Sequence, residues 1–274
     1  MKLAISKRRG FTMMEVALCL AIIGFAVVSL LAVLPVGMDN QQATRQATVI
    51  SEDATMFLEA IRGGARGMDD LTNYLVGITN YYQGYYASGQ PAGGVQRTGY
   101  TFNSGLTNGL RIVGVMSTPE FTAGIVNNVG ALGGMPLANT VGQAFTSNHV
   151  YAYFRSFSGM AAEKPPQDNP ILRGASFTYR ILCVNAPVAA VTNVSQWVDP
   201  SAVFDQQLAG NLRELRLLFS WPLTPNFTLG FNHKDQNFRV DVAGGIIWTN
   251  DYPINTLDGM WLYFCQSQSF TNTP

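Results

Sequence analysis

The feature that most constrains this chain is an apolar run of nineteen residues, Val16 to Leu34, without one charged side chain. As an α-helix it rises about 28 Å, close to the roughly 30 Å hydrocarbon core of a bilayer. Four of the seventeen cations precede it (Lys2, Lys7, Arg8, Arg9), and the next cation is Arg45. That asymmetry predicts a cytoplasmic N-terminus, with the bulk of the chain on the other side of the membrane. Three other readings compete. A buried core helix seldom runs so far without polar punctuation. A cleaved secretory signal usually has an apolar region of about 7–15 residues ending in a small-x-small site. A plain single-span anchor fits the length but gives no reason for Glu15.

An acid at the edge of a span is costly and usually has a partner. No cation lies within one helical turn after Glu15, and the nearest, Arg8 and Arg9, lie upstream. A cut after Gly10 would create an α-ammonium on Phe11, four residues from Glu15, and complete an ion pair. The stretch Lys7-Arg8-Arg9-Gly10-Phe11-Thr12-Met13-Met14-Glu15-Val16 closely resembles the class III signal of the type IV pilin-like and pseudopilin family. The resemblance covers residues 7–35, with weaker support to residue 62. It implies that prepilin peptidase cuts between Gly10 and Phe11, that Phe11 becomes the N-methylated first residue, and that Glu15 supplies the assembly ion pair. Pro35 stands a little later than the helix-kinking proline of major pilins. Gly24-Phe25 and Leu30 to Gly37 look more like minor pilins and pseudopilins, and are also similar to the prepilin-like proteins of the Verru_Chthon cassette group.

The resemblance implies an α+β fold with a pilin-like lollipop shape: one long helix, membrane-spanning in its first half, packed on an antiparallel β-sheet head. The expected organisation is a cytoplasmic leader at 1–10, a helix at 11–62 (11–36 in the membrane) and an extracytoplasmic head at 63–274. The residues agree with this outline. Ala43, Ala47, Ile50, Ala54, Phe57 and Ile61 recur at alternating steps of four and three, an apolar stripe on an otherwise polar helix. Gly63-Gly64 predicts its end. Residues 63–170 give few periodic readings. Tyr81 to Tyr86 reads as an exposed aromatic surface or, more simply, as aromatic packing in a loop or short strand. Gly89–Gly94 and Glu163–Pro170 read as loops. Alternation predicts strands over Ala175–Val184 and Glu214–Trp221, then a long polar connection through Asn232–Asp235 to a strand at Phe238–Val242. Further strands are expected at Ile246–Trp248 and Trp261–Phe264.

Composition bears on chemistry. The formal net charge is zero, so nucleic acid is not an expected partner. Beyond residue 10 there are thirteen cations against seventeen anions. Three Cys without a Cys-x-x-Cys pair and only two His leave little for a zinc or iron–sulfur site. No nucleotide-binding, zinc-protease, EF-hand or serine-hydrolase motif occurs. His149 reads as a packed or surface residue and His233 as part of a solvated turn. Asp69-Asp70 and the pair Asp251 and Asp258 are weak calcium candidates. Asn193-Val194-Ser195 and Asn226-Phe227-Thr228 match the glycosylation sequon, which chance supplies readily in an Asn-rich chain.

No enzyme, cofactor or metal is therefore expected. The implied partners are prepilin peptidase, other pilin or pseudopilin subunits, an inner-membrane assembly platform and the lipid bilayer. The alternative is a membrane-anchored envelope protein whose β-rich head binds a ligand or performs hydrolysis. Cys19 reads as a small buried hydrophobe in the helix. Cys183 and Cys265 both fall in strand-like segments, and a bond between them would close a loop worth roughly 4 kcal/mol in the chain-entropy model. Cys183 also shares a face with Phe177, Tyr179 and Ile181, so it reads equally as core.

Overall fold

The apolar run and the amphipathic stretch after it form one helix, α1 (Met13–Gly63), which continues through Pro35 despite the backbone donor that proline removes. The structure is a computed structural model that describes residues 10–64, 67–86, 88–123, 143–158, 177–188, 208, 210–251 and 260–266. The expected leader, apart from Gly10, and the Glu163–Pro170 loop lie outside the described residues. Helix α1 stops at Gly64, whose φ of 71° is the left-handed conformation that glycine adopts cheaply after a helix.

The chain divides into two units, Met1–Thr48 and Val49–Pro274. In the first, the Val16–Leu34 stretch is exposed throughout. Its one hydroxyl, Ser29, donates to the Phe25 carbonyl at 2.8 Å, which satisfies that polar group within the helix. In the second unit, Ile50, Ala54, Phe57 and Ile61 are fully buried, as the stripe predicts. The Phe57 ring lies 4.7 Å from Phe154, 5.3 Å from Phe157 and 6.3 Å from Phe219, within the range of favourable aromatic pairing.

The main sheet has seven antiparallel strands: β1 (Leu75–Tyr86), β2 (Gln96–Tyr100), β3 (Phe121–Ala123), β4 (Gln143–Arg155), β5 (Thr178–Pro187), β6 (Leu212–Leu223) and β7 (Leu229–Ala243). Their order is β2-β1-β4-β5-β6-β7, and β3 pairs with the first part of β4 while β5 pairs with the rest. Two rows of register partners build the core: Ile78, Ala152, Ile181 and Phe219 in one, Phe154 and Tyr179 in the next. All six are at most 1% exposed. A separate two-stranded sheet pairs β8 (Gly245–Asp251) with β9 (Met260–Gln266).

The glycine-rich middle, which reads poorly in sequence, also holds the short helix α2 (Gly109–Met116). Asn108 caps it, accepting the Arg111 N–H at 2.9 Å. Asp69 Oδ1 accepts the Gly109 N–H at 3.0 Å. Two glycines let α2 pack closely. A Cβ at Gly109 would collide with the Met68 carbonyl, and one at Gly114 would sit 2.9 Å from Leu262 Cβ.

The expected polar connection at Asn232–Asp235 is a correction: these residues are strand, within β7. Lys234 and Asp235 stand opposite Trp221 and Ser220 of β6, and the register continues to Leu212 opposite Ala243. As an edge strand with both faces in water here, this stretch needs no apolar alternation, so it carries none. The connection from β6 is a short turn, with Thr224 N donating to the Thr228 carbonyl at 2.9 Å.

Candidate functional site

Gly10 and Phe11 precede the first turn of α1 and are exposed, Phe11 to 84%. No described atom beyond its chain neighbours lies within 4 Å of a Cβ added at Gly10. Neither crowding nor a positive φ therefore asks for glycine at this position.

Thr12 is the N-cap of α1, and it makes a reciprocal box with Glu15. The Thr12 N–H and hydroxyl donate to Glu15 Oε2 at 2.8 and 3.0 Å, while the Glu15 N–H donates to Thr12 Oγ1 at 3.3 Å. Two otherwise orphaned helix N–H groups are satisfied in this way. Glu15 is thus not an acid without a partner in the uncut chain, which corrects the premise that a simple anchor gains nothing from it. The spacing Thr12-x-x-Glu15 is the readable signal for such a box. Sequence reasoning passed over it because the membrane context made a charge partner the first question.

Behind this cap runs the only described helix long and apolar enough to cross a membrane, and none of its most apolar window is packed against the protein. Phe25, Val28, Leu30, Leu31 and Val33 are each between 65% and 79% exposed. A continuous apolar surface on this scale marks contact with lipid or with other apolar helices.

The two head cysteines do not meet. Cys183 and Cys265 are both free and buried, on the main sheet and the two-stranded sheet respectively. The Cys265 thiol interacts with Arg213, and Arg213 is the register partner of Pro187. Burial pushes both thiols above their usual pKa, with Arg213 opposing this at Cys265. Cys19 lies exposed on α1 rather than buried.

The remaining candidates have structural partners. His149 is exposed on β4 opposite Tyr81. His233 Nε2 lies 3.5 Å from Asp235 on β7. Asp69 anchors α2, as described, and Asp258 and the Asn193 sequon lie outside the described residues. No three His, Cys, Asp or Glu side chains gather among the described residues. Tyr81 and Tyr85 pack across to β4, Tyr81 at 5.7 Å from Tyr151 and Tyr85 stacked at 5.0 Å on Phe145. A groove of about 540 Å³ at one end of the sheet is lined by Tyr74, Arg155, Phe177, Pro222 and Phe227, among others. Its described lining includes no acid, histidine, cysteine or serine.

Compared with known proteins, the chain matches no family model, no curated protein and no solved structure.

Proposed function

We propose that this chain is a prepilin-like structural subunit, a minor pilin or pseudopilin, anchored in a bacterial inner membrane before its assembly into a pilus or pseudopilus. The observation that carries this reading is the run from Lys7 to Val16, which joins a basic leader, Gly10-Phe11 and Glu15 directly to an apolar helix. Two structural details support it. Gly10 lies exposed before the helix, with room for a side chain, as a peptidase substrate would. The cap also holds the Glu15 carboxylate at the Thr12 N–H, one residue from the Phe11 nitrogen. Hydrolysis of the Gly10–Phe11 bond would leave a carboxylate on Gly10 and an ammonium on Phe11, beside an acid already positioned to receive it. That ion pair, formed within one subunit or with a neighbour, would operate in a low-dielectric helix bundle where its strength rises.

A membrane-anchored envelope protein that is never cut is the second reading, and the Thr12–Glu15 box favours it by explaining Glu15 without a cleavage. Mass and N-terminal analysis of the protein purified from its native membrane separates the two. The proposal expects a chain starting at Phe11, carrying an N-methyl group; a mature chain that retains residues 1–10 overturns it.

A further inference from the structure

The apolar stripe of α1 contains one acid. Asp53 stands three residues after Ile50 and four before Phe57, and like them it is fully buried. Its Oδ2 accepts the Tyr179 hydroxyl of β5 at 2.8 Å and the Phe157 N–H at 3.4 Å. Its Oδ1 has no hydrogen-bond partner among the described residues. Around it the rings of Phe57, Phe154, Phe157, Tyr179 and Phe219 form linked pairs with centroids between 4.7 and 6.4 Å.

Among the described residues, no cation acts on Asp53. β5 presents the Tyr179 phenol. The segment after β4 presents Ser156, Phe157 and Ser158, and β4 itself presents Phe154. From β6 comes Phe219, whose ring lies 5.4 Å from that of Tyr179. On α1, Glu52, Glu59 and Arg62 are exposed. Among the described residues, the titratable group facing Asp53 is therefore a phenol, the Tyr179 hydroxyl, which donates to the carboxyl whether Asp53 is protonated or ionised.

We propose that Asp53 makes the docking of the Val49–Gly63 turns onto the sheet proton-dependent, so that this unit is firmest in acid and loosens as the carboxyl ionises. The geometry gives the reason. A carboxylic acid at this site needs little beyond the donors it already has. A carboxylate leaves one charged oxygen unpaired among aromatic rings, and an unpaired buried charge is heavily penalised. Burial accordingly raises the Asp53 pKa from the ordinary 3.8 to about 6, against the opposing hydrogen bonds of Ser158, Tyr179 and Phe157. The sign follows from the folded state holding its proton longer than the unfolded chain. Stability is fully present below the unfolded pKa and is lost as pH rises through the folded one. This inference is independent of whether the chain is cut after Gly10.

The test is chemical unfolding of the full chain in detergent micelles, followed by near-ultraviolet circular dichroism at intervals from pH 4 to 7.5, for the wild type and Asp53→Asn. Each unit of pKa shift is tenfold in the folding equilibrium. Across that range, the folded-to-unfolded ratio of the wild type should fall about 100-fold relative to Asp53→Asn. Tyr179→Phe keeps the acid and removes its donor, so it should move the midpoint of the pH dependence upward. Parallel profiles for wild type and Asp53→Asn would overturn the proposal. If Asp53→Asn fails to fold, an unchanged midpoint in Tyr179→Phe would overturn it as well.

Discussion

The two units of this protein use the same apolar residue types in opposite ways. From Val16 to Leu34 the leucines, isoleucines and valines are all exposed, with no position reserved for the protein's own interior. Beyond Val49 such residues are placed by period: every third or fourth position on the last turns of α1, and every second position on β5, whose burial alternates along the strand. Periodicity records a boundary between core and water, and it disappears where apolar surroundings lie on every side of a helix. The first stretch is long and apolar enough to cross a membrane, while the second unit makes an apolar interior of its own.

The largest expected effect tests that contrast directly. Phe57→Ala should destabilise the second unit by about 3–5 kcal/mol, because it empties the centre of an aromatic cluster. Phe25→Ala, on the exposed run, should leave unfolding of the second unit within about 0.5 kcal/mol of the wild type. Denaturant unfolding of the two full-length variants in micelles decides it. A comparable loss in both would mean that the first stretch is packed against protein after all.

A smaller effect is expected at Asp69, whose carboxylate anchors the first turn of α2. Asp69→Ala should cost about 1–3 kcal/mol, the penalty for a partly buried N–H left without an acceptor. Hydrogen exchange should show the loss of protection concentrated at Gly109 and the rest of α2. Uniform loss across the sheet would indicate that α2 and the sheet unfold together.

The smallest effect is chemical rather than energetic. Cys183 and Cys265 should resist alkylation in the folded protein, being buried with raised thiol pKa values. Both should alkylate after denaturation without reductant. Resistance in the denatured chain would restore the disulfide that the structure separates.

What was legible in the sequence follows the same divide. The buried stripe of α1 and the strands β5 and β6 carry clear periods, because each sits at a core boundary, whereas the long run of α1 and the strands β8 and β9 were legible as unbroken apolar segments. Helix α2 was not legible. Its eight residues include Gly109 and Gly114, poor helix formers that are needed for close approach to the Met68 carbonyl and to Leu262. Strand β7 was half legible: Phe238, Val240 and Val242 alternate, whereas Asn232–Asp235 do not. At the candidate site, the motif from Lys7 to Glu15 was readable outright, but the choice between ion pair and capping box was not. Both use the same carboxylate, and only geometry shows which donors it has. Asp53 hid for a different reason: a single acid in a polar-looking segment draws no notice until the stripe is traced through it.

The long edge strand β7 has a consequence for how copies of this protein tolerate crowding. Its fifteen residues offer a row of backbone groups on the side away from β6, the usual template for recruiting another chain. His233, Lys234, Asp235, Arg239 and Asp241 stud that row with charge of both signs, and Arg239 is tied back to Glu214 at 2.8 Å. A newcomer laid along this border would have to strip water from those groups and fit between them. Strand-to-strand fusion of neighbouring sheets along this border is thereby disfavoured.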